Sequence, residues 1–366
     1  MSLSEFDDVI RDASGGNAKV QNGDYLSSGQ YPIIDQGQDF IGGYTNDPSN
    51  LVAGEGPWIV FGDHTRALKF VDFPFCMGAD GVKVLQLQRS TKADLKYVCH
   101  FLQFANIPSA GYSRHYKFLK RLQIPLPRLE DQERIAAILD KADQLRQKRR
   151  HALALLDALT QSIFLKMFGN PAKNSKGLPL VALGEVGDWQ SGGTPSRTRQ
   201  EYFNGTIPWA SSGELNDIYL LDCKERISEM ALIETSAKEV PQGALMLGMY
   251  DTAALKSSIS SKRCSCNQAI AFAKLDETRI QTLYAYFAVQ VGKEEFRRLQ
   301  RGVRQKNLNL SMIKSIKIPA PGLDKQLLFA AYVRKNLEIR EKMTATIRIA
   351  ELNFSSLQHR AFIAQL

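Results

Sequence analysis

The residues of this chain whose types could do chemistry lie in short polar loops that combine arginine or lysine with glycine, serine and asparagine. Basic side chains can neutralise phosphates, and arginine, asparagine, glutamine and serine can also read base edges in the major groove. The candidate DNA-contact residues of the first half are His64, Thr65, Arg66, Tyr112, Ser113, Arg114, His115 and Lys117. Those of the second half are Thr194, Ser196, Arg197, Ser211, Ser212, Lys256, Arg304, Gln305, Lys306 and Asn307.

Each of these loops, taken alone, is more often a solvated connection than a ligand contact. Two of them, at residues 111–117 and 301–307, lie just before a segment that the chain contains twice, which strengthens both predictions. The net charge of +9, from 47 Lys and Arg against 38 Asp and Glu, also favours a polyanionic partner. The alternative is an ordinary basic protein that binds no nucleic acid.

The repeated segment reads Ile-Pro-Leu-Pro-Arg-Leu-Glu-Asp-Gln at residues 124–132 and Ile-Pro-Ala-Pro-Gly-Leu-Asp-Lys-Gln at residues 318–326. The register continues without a gap into the stretch that follows, where Ala136 matches Ala330 and Phe168 matches Phe362. Self-similarity over so long a period defines an architecture. The sequence therefore predicts a duplicated pair of globular unit and long helix, which suits a target in two parts.

Runs of β-branched and aromatic residues bounded by turn formers predict strand-rich globular units. In the first half these runs lie at residues 31–34, 58–61, 68–71 and 82–85, with a helix at 94–106. The second half is again strand-rich, with a helix near 278–291. The predicted fold class is α/β (α+β), divided into a first globular unit at 1–128, a long helix at 129–168, a linker at 169–179, a second globular unit at 180–322 and a second long helix at 323–366.

Residues 131–168 contain neither glycine nor proline and repeat apolar residues at three-four spacing, which predicts a helix about 55 Å long. The second copy shows the same spacing. Each stripe is only partly apolar, and each helix needs a partner that buries its apolar side chains. The simplest arrangement is an antiparallel coiled coil in which the two helices bury each other's stripes. Such a pair would hold the globular units at opposite ends, related by a pseudo-twofold. The stripe residues are Ile135, Ile138, Leu145, Leu156, Ile163, Phe329, Met343, Ile347 and Leu357.

The sequence lacks the motifs of the common catalytic classes. It has no P-loop and no Gly-x-Ser-x-Gly elbow, and Cys264 and Cys266 lack a second pair at zinc-ligand spacing. The segment at residues 72–75, Asp-Phe-Pro-Phe, resembles the tetrapeptide of amino-group methyltransferases only in part, and a turn between two strands is the better interpretation. We therefore predict no catalytic residue, no metal and no cofactor in this chain.

The composition predicts a cytoplasmic protein. No run approaches the roughly 18 apolar residues of a membrane span, and the acidic start of the chain has no signal-peptide pattern. Five scattered cysteines, an odd number, are typical of reduced thiols and not of a disulfide framework.

The order of these motifs resembles the DNA-specificity subunits of type I restriction–modification systems. The resemblance lies in the duplicated Ile-Pro-x-Pro-x-Leu-x-x-Gln segment with its long helix, and it extends over essentially the whole chain. Further pieces that look like recurrent parts of that family are residues 81–85, 111–115, 266–270 and 305–308. Each short motif is weak, and their order together with the duplication makes the match specific.

The resemblance implies more than the residues do. Each globular unit would read one half of a bipartite, asymmetric site on double-stranded DNA, and the coiled coil would set the unread spacer. The stripe residues of the long helices would dock two methyltransferase (modification) subunits, which would carry S-adenosylmethionine and methylate adenine. Motor-nuclease (restriction) subunits would join for cleavage.

Two alternatives remain open from the residues alone. The first is a structural scaffold whose coiled coil joins other proteins and whose globular units bind no DNA. The second is an enzyme whose site is assembled from residues distant in sequence.

Overall fold

The computed structural model describes residues 2–79, 81–105, 107–108, 111, 114–299 and 307–364. The chain divides into two compact units. Unit 1 comprises Met1–His151 and Thr344–Leu366, and unit 2 comprises Ala152–Met343. Each unit therefore combines a globular part with portions of both long helices.

The described part of unit 1 consists of short strands, short helices and portions of the two long helices. Its strands are, in chain order, β1 (Ser2–Glu5), β2 (Ile10–Asp12), β3 (Lys19–Val20), β4 (Tyr31–Ile34), β5 (Gly43–Thr45), β6 (Trp58–Gly62), β7 (Leu68–Val71), β8 (Cys76–Gly78), β9 (Val82–Leu87) and β10 (Gln123–Leu126). Its helices are α1 (Phe6–Val9), α2 (Leu95–Phe104), α3 (Tyr116–Leu119) and α4 (Leu129–Phe168), of which α4 continues into unit 2. The sheets run β2-β9-β6-β7 and β3-β8-β4-β5, and β1 pairs with β10.

Unit 2 repeats this plan. Its strands are β11 (Leu180–Ala182), β12 (Gln190–Ser191), β13 (Ile207–Ala210), β14 (Tyr219–Leu220), β15 (Glu225–Ile227), β16 (Glu239–Val240), β17 (Leu245–Gly248), β18 (Ser257–Ser260), β19 (Cys264–Cys266), β20 (Ile270–Ala273) and β21 (Lys317–Pro319). Its helices are α5 (Glu229–Glu234), α6 (Thr282–Phe296), α7 (Leu310–Ser315) and α8 (Leu323–His359), of which α8 continues into unit 1. The sheets run β12-β20-β17-β18-β14 and β15-β13-β19-β16, and β11 pairs with β21.

The sheet that contains β6 in unit 1 and the sheet that contains β17 in unit 2 are each buried on both faces. This explains why β6 and β17 are continuous apolar runs. In β6, Ile59 and Phe61 pack toward α2 and α4, whereas Val60 packs toward the second sheet beside Ile34. In β17, Leu245 and Leu247 pack on the helical side, and Met246 packs toward the second sheet. This alternation follows from the two-residue period of a strand. The prediction of a mixed α/β fold with an internal repeat is confirmed.

The repeated segment joins each long helix to its globular part through two buried side chains. In unit 1 the Gln132 amide donates to the carbonyl of Pro127 at 2.8 Å, and its oxygen accepts from the backbone N–H of Asp94, the residue that caps α2, at 3.0 Å. In the same unit the hydroxyl of Tyr97 donates to the carbonyl of Pro125 at 2.8 Å. Burial raises the pKa of Tyr97 to about 12, so it remains a donor.

Unit 2 makes the same bonds at equivalent positions. Gln326 donates to the carbonyl of Pro321 at 2.7 Å and accepts from the N–H of Gln281, which caps α6, at 2.8 Å. Tyr284 donates to the carbonyl of Pro319 at 2.9 Å. The two prolines of the repeat thus present carbonyls to a glutamine and a tyrosine, and this shared network is the physical reason for the repeated pattern.

The long helices pair antiparallel within each unit. In unit 2, Asn336 of α8 donates to the carbonyl of Leu156 at 3.0 Å and to the hydroxyl of Thr160 at 2.8 Å, and Phe329 contacts Phe164 with ring centroids 5.3 Å apart. In unit 1, Arg150 pairs with Glu351. Helix α4 ends at Phe168 because Gly169 follows with a φ of 75°, a conformation that favours glycine.

The end of α4 and the helical turn that follows α8 (Arg360–Ala364) each pack on the tyrosine of the repeated network. In unit 2 the ring of Phe168 lies 4.9 Å from that of Tyr284, and in unit 1 the ring of Phe362 lies 5.5 Å from that of Tyr97. Phe168 and Phe362 are the last aromatic pair matched by the repeat. Each globular part therefore rests on the start of one long helix and the end of the other.

The stripe predicted for partner binding divides into residues with different roles. Ile135, Phe329 and Ile347 are buried, so they cannot contact a partner subunit, and for these three the prediction is corrected. They are buried because the stripe packs against the globular parts and the other helix. Leu156, Ile163, Met343 and Leu357 are half-buried, whereas Ile138 and Leu145 are exposed.

Among the described residues, no helix is both long and apolar enough to cross a membrane.

We expect the substitution Gln132→Ala to destabilise unit 1 by about 2 kcal/mol, because it removes two hydrogen bonds and leaves the N–H of Asp94 without its acceptor. Native-state hydrogen exchange of the α2 amides measures the loss, and the α6 amides of unit 2 provide an internal reference. Gln144→Ala, at an exposed position of the same helix, is the matched control. Equal protection in both variants would contradict the role given to Gln132.

A polar cluster also attaches α2 to α4 in unit 1. Asp140 accepts from Lys96 at 2.8 Å and lies 2.7 Å from Nε2 of the buried His100. Burial alone would raise the pKa of Asp140, but the hydrogen bonds from Lys96 and His100 outweigh it and hold the pKa below the ordinary value of 3.8. The fold therefore favours the ionised carboxylate.

A lowered pKa means that this stabilisation is complete above the unfolded-state pKa and is lost as the pH falls through the folded-state pKa. We expect Asp140→Asn to cost about 1–2 kcal/mol at pH 7, with a difference from the unsubstituted chain that persists to about pH 5 and shrinks below about pH 4. Thermal unfolding of the full chain across this range measures it. Glu133→Gln, an exposed acid on the same helix, controls for net charge. A difference that does not depend on pH would contradict the ionic role of Asp140.

Candidate DNA interface

Three loops of unit 1 meet at one junction. The turn after β6 supplies Asp63, whose N–H donates to the carbonyl of Gly81, the residue before β9, at 2.6 Å. The carbonyl of Asp63 accepts from the backbone N–H of His115 at 2.9 Å and lies 2.9 Å from its Nδ1. The carboxylate of Asp63 accepts from the N–H of Tyr116 at 2.6 Å. The loop at residues 62–66 and the described residues 114–117 of the second predicted loop are therefore neighbours.

The turn after β6 is held in place by its own side chains. The hydroxyl of Thr65 donates to the carbonyl of Gln36 and accepts from the N–H of Ala67 at 3.2 Å. Arg66 adopts a φ of 63°, and its guanidinium donates to the carbonyl of Ile107 at 2.9 Å. Thr65 and Arg66 also line an open cleft of about 540 Å³.

Unit 2 builds the same junction with the same backbone bonds. The N–H of Met249, after β17, donates to the carbonyl of Ala269, the residue before β20, at 2.8 Å. The carbonyl of Met249 accepts from the N–H of Leu308 at 2.7 Å. Because strand order and bonding are shared, the two junctions are equivalent, and they differ in the side chains that they display. We call them the unit 1 and unit 2 junctions.

The unit 2 junction receives further loops. The N–H of Gly193 donates to the carbonyl of Cys266 at 2.9 Å, and the N–H of Asn267 donates to the carbonyl of Ala210 at 2.9 Å. A Cβ on Gly193 would lie 2.1 Å from the carbonyl oxygen of Ser236, so only glycine allows this approach. The segments before Thr194 and Ser211 are thus drawn to the loop that precedes β20.

Several predicted side chains of unit 2 are exposed or half-buried at or near this junction. Thr194 hydrogen-bonds Gln268, and the half-buried Lys256 donates to Oδ1 of Asn216 at 2.9 Å. Ser196 is exposed and lies 2.8 Å from the hydroxyl of Thr198. Asn307 lies immediately before Leu308, whose N–H donates to Met249, and forms an isolated β-bridge with Tyr250.

Arg197 is engaged within the unit. Its guanidinium donates to both carboxylate oxygens of Glu225, at 3.1 and 2.9 Å, and lies over the rings of Phe203 and Trp209 at 5.0 and 5.6 Å. The hydrogen bonds and charge of Glu225 raise the pKa of Arg197. The pair is exposed, with 60% of the Arg197 side chain and 41% of the Glu225 side chain accessible, so the base contact of Arg197 stays a prediction.

Ser211 caps a short helical turn. Its N–H and hydroxyl both donate to Glu214, at 2.8 and 2.7 Å, in a capping box at the start of a short helical turn. Burial would raise the pKa of Glu214, but backbone hydrogen bonds from Lys224 and Ser211 outweigh it and lower the pKa. The neighbouring Ser212 is half-buried.

His115 is the clearest correction in unit 1. Only 1% of it is exposed, because its backbone and ring both face the carbonyl of Asp63, and a DNA base cannot reach it. His64, Arg114 and Lys117 are exposed, and Lys117 lies 5.0 Å over the ring of Phe118. The predicted residues Tyr112, Ser113, Arg304, Gln305 and Lys306 lie outside the described residues.

Sequence reasoning missed three residues that shape the junctions. Asp63 lies in one of the predicted basic loops, where an acid is a signal for an internal partner. Gln268 lies in the motif at residues 266–270, which is its only sequence signal. Asn216 carries no local signal, because its partner Lys256 is distant in the chain.

The described residues contain no group of three or more His, Cys, Asp or Glu placed to hold a metal ion. Burial raises the pKa of Cys264 to about 12 and that of Cys266 above its ordinary range, so neither thiol ionises readily. The donor chemistry at both junctions consists of hydroxyls, amides and basic groups, which suits an anionic ligand.

Comparisons with known proteins agree with this geometry. Residues 2–154 and 176–347 match the family described as type I restriction modification DNA specificity domain. The chain is 26% identical, over 84% of its length and 79% of the relative's, to the specificity subunit of the type I restriction enzymes EcoR124I and EcoR124II of Escherichia coli.

Two solved structures share the fold. A type I restriction–modification system S subunit from M. genitalium aligns over 100% of this chain and 96% of its own, with a TM-score of 0.61 at 13% identity. A chain from a study of complex assembly and conformational transition of the type I restriction–modification system aligns over 100% of both chains, with a TM-score of 0.56 at 14% identity.

Proposed function

This chain belongs to the type I restriction–modification DNA specificity family, and on that premise we propose that it is the sequence-specific DNA-binding subunit of such a system. It reads a bipartite, asymmetric site on double-stranded DNA, with one half-site read by each unit. It assembles with the other subunits of the system, and its task is to position their chemistry on the DNA.

One observation carries this proposal: the two junctions share a backbone frame and display different side chains. Unit 1 presents His64 and Arg114, and unit 2 presents Thr194, Lys256 and Gln268 around equivalent backbone bonds. Hydroxyl, amide and basic groups can read base edges, and different sets of them read different bases. A duplicated frame with unlike side chains suits two unlike half-sites, and a scaffold would gain nothing from it.

We propose that the chain is not itself a catalyst and holds no cofactor. S-adenosylmethionine then belongs to the partner methyltransferase subunits, and cleavage belongs to motor-nuclease subunits. The family's description as a DNA specificity domain supports this division of labour. We place the protein in the cytoplasm with the DNA that it reads.

Exposed apolar side chains on the long helices support two docking sites for methyltransferase subunits. Three pairs of positions matched by the repeat are exposed in both copies: Ile138 with Tyr332, Leu145 with Ile339, and Leu155 with Ile349. Unit 1 carries one member of each pair, and unit 2 carries the other. Large apolar side chains that recur in exposed, equivalent places mark interaction surfaces, and here they indicate two equivalent ones.

We expect Leu145→Glu and Ile339→Glu each to reduce the bound methyltransferase subunits from two to one, and the double variant to bind none, because a buried unpaired carboxylate opposes docking. Mass measurement of the co-purified complex in solution reports the stoichiometry. Ile233→Glu, at an exposed apolar position outside the long helices, is the matched control. Two bound subunits in the double variant would contradict this assignment.

The test of the function itself is selection from a random DNA pool, using the chain co-expressed with its methyltransferase subunit. We expect a split consensus of two short blocks around a gap of fixed length. Arg114→Ala should weaken the preference for one block by about tenfold and leave the other block unchanged. Arg128→Ala, an exposed arginine at the start of α4, serves as the control and should change neither.

A single contiguous block would mean that only one unit reads DNA. Binding that neither depends on sequence nor weakens with salt would favour the scaffold alternative. Methyl transfer by the purified chain without a partner would contradict the non-catalytic role.

A further inference from the structure

Arg197 of unit 2 is held by a carboxylate and by two aromatic rings at once. Its two Nη groups donate to the two carboxylate oxygens of Glu225, at 3.1 and 2.9 Å. Its guanidinium carbon lies 5.0 Å from the ring centroid of Phe203 and 5.6 Å from that of Trp209. All three partners lie outside the loop at residues 192–199 that carries Arg197, so the folded unit sets the position of this guanidinium.

The register of the sheet explains why the carboxylate and the indole lie side by side. Trp209 of β13 and Glu225 of β15 are direct partners in an antiparallel pair. Residues paired in this way project from the same face of a sheet. Arg197 therefore lies across a cross-strand pair in which one member accepts hydrogen bonds and the other offers an aromatic surface, on which arginine stacks well.

This pair of residues is continuous with the unit 2 junction. The buried indole of Trp209 donates to the carbonyl of Gly193 at 3.1 Å, and the N–H of Gly193 donates into the loop that precedes β20 at 2.9 Å. Ala210, the next residue of β13, accepts from the N–H of Asn267 in that same loop at 2.9 Å. The support of Arg197 is thus bonded to the junction at two adjacent points.

The pairing with Glu225 leaves the side of the guanidinium available for a ligand. A guanidinium carries five N–H donors, and the bonds to Glu225 use one on each Nη group. The N–H of Nε and the second N–H of the neighbouring Nη group form another fork along one side of the plane. Because the pair is exposed, a second acceptor can bind this side fork while Glu225 stays in place.

Guanine is the base that fits this side fork. In the major groove its O6 and N7 are adjacent acceptors, and their bidentate contact with arginine is the commonest specific contact to a base. A phosphate can be bound by a point charge without a fixed orientation, such as a lysine ammonium. An arginine whose plane is fixed by stacking and by a carboxylate is suited to base reading, where orientation decides the outcome.

Unit 1 has no counterpart of this arginine. The corresponding segment of unit 1 follows β2, which pairs with β9 as β12 pairs with β20 in unit 2. Residues 13–18 read Ala-Ser-Gly-Gly-Asn-Ala and contain no basic side chain. Arg197 is therefore one of the side chains that distinguish the two junctions, and its effect should be confined to one half-site.

Resting on the proposed function, we propose that Arg197 is a specificity-determining residue that reads a guanine in the half-site of unit 2. Glu225 and Trp209 are positioning residues in this role, because one fixes the direction of the fork and the other supports its plane. Neither contacts the base. Since the guanidinium is oriented before DNA binds, little conformational freedom is lost when it meets the guanine.

The test uses the chain in complex with its methyltransferase subunit and duplexes that carry the selected consensus. One block should contain a guanine whose exchange for adenine weakens binding about tenfold. In Arg197→Lys, which keeps the charge and loses the fork, this exchange should have almost no effect, and the other block should be read as before. The variant should keep its melting temperature, because lysine can still pair with Glu225.

A base analogue makes the same test at a single atom. Replacement of that guanine by 7-deazaguanine removes the N7 acceptor and leaves O6 in place. We expect it to weaken binding by the unsubstituted complex and to leave binding by Arg197→Lys unchanged, because the lost acceptor has no partner in the variant.

Glu225→Gln tests the positioning role. The amide offers one acceptor oxygen in place of two, so the guanidinium is held less firmly and discrimination between guanine and adenine should fall about threefold. In the Arg197→Lys background the same substitution should have no further effect on discrimination, because the group that it positions is absent.

The matched control is the pair of Arg226 and Asp222, another exposed arginine and carboxylate of unit 2. One Nη group of Arg226 donates to both oxygens of Asp222 at 2.8 Å. Arg226→Lys and Asp222→Asn should leave discrimination unchanged at every position of both blocks.

Two results would overturn the proposal. One is a loss of discrimination at every position that follows the melting temperature, since Arg197 would then be structural. The other is an equal weakening on all duplexes, with 7-deazaguanine still costing Arg197→Lys as much as the unsubstituted complex, since Arg197 would then contact a phosphate.

Failure of this inference differs from failure of the proposed function. If the unsubstituted complex selects no split consensus, the proposed function is wrong and the role of Arg197 falls with it. If it selects two blocks and Arg197→Lys retains full discrimination at every guanine, the function stands and the role of Arg197 is wrong.

Discussion

The interaction on which the rest of this structure depends is the buried glutamine at the start of each long helix. The side-chain amides of Gln132 and Gln326 each donate to a proline carbonyl of the repeated segment. Their oxygens each accept from the backbone N–H of the N-cap residue of α2 or α6. An amide suits this place because it donates and accepts at once, so both buried backbone groups are satisfied by one side chain. A DNA-binding unit needs its recognition loops held at a fixed angle to the long helix to which it is attached. This network fixes the globular part to the helix in each unit.

Around that fixed joint, the two units differ in how they complete the attachment. In unit 1 the α2 residue His100 meets Asp140 of α4 with Lys96 beside it, whereas in unit 2 the equivalent position holds Phe287, which packs on Phe329 with ring centroids 5.3 Å apart. One attachment is ionic and the other is aromatic. The repeat therefore preserves hydrogen bonds that set geometry, while the packing around them has diverged. The junctions follow the same rule, because their backbone bonds are shared and their side chains are not.

Features set by local patterns could be predicted from the sequence. The runs at 31–34 and 68–71 became β4 and β7, and the helix predicted at 94–106 became α2. The antiparallel pairing of the long helices followed from their half-apolar stripes. Features that depend on residues far apart could not be predicted in the same way. The residues near Arg197 do not predict that Glu225 will bind its guanidinium. The residues near Ile135 do not predict which stripe residues pack against the globular part and which pack against the other helix.

The candidate site shows the same limit in a sharper form. A loop of mixed basic and polar residues indicates a contact surface, but the loop needs internal partners to hold its shape, and those partners come from the same residue types. His115 and Ser211 have the chemistry of contact residues and are used to build the frame, whereas His64 and Arg114 are left exposed. Burial of His115 and the hydrogen bonds of Ser211 to Glu214 separate the two groups, and both are properties of the folded unit. Recognition by such a junction therefore depends as much on the side chains that are consumed in holding the loops as on those that face the ligand.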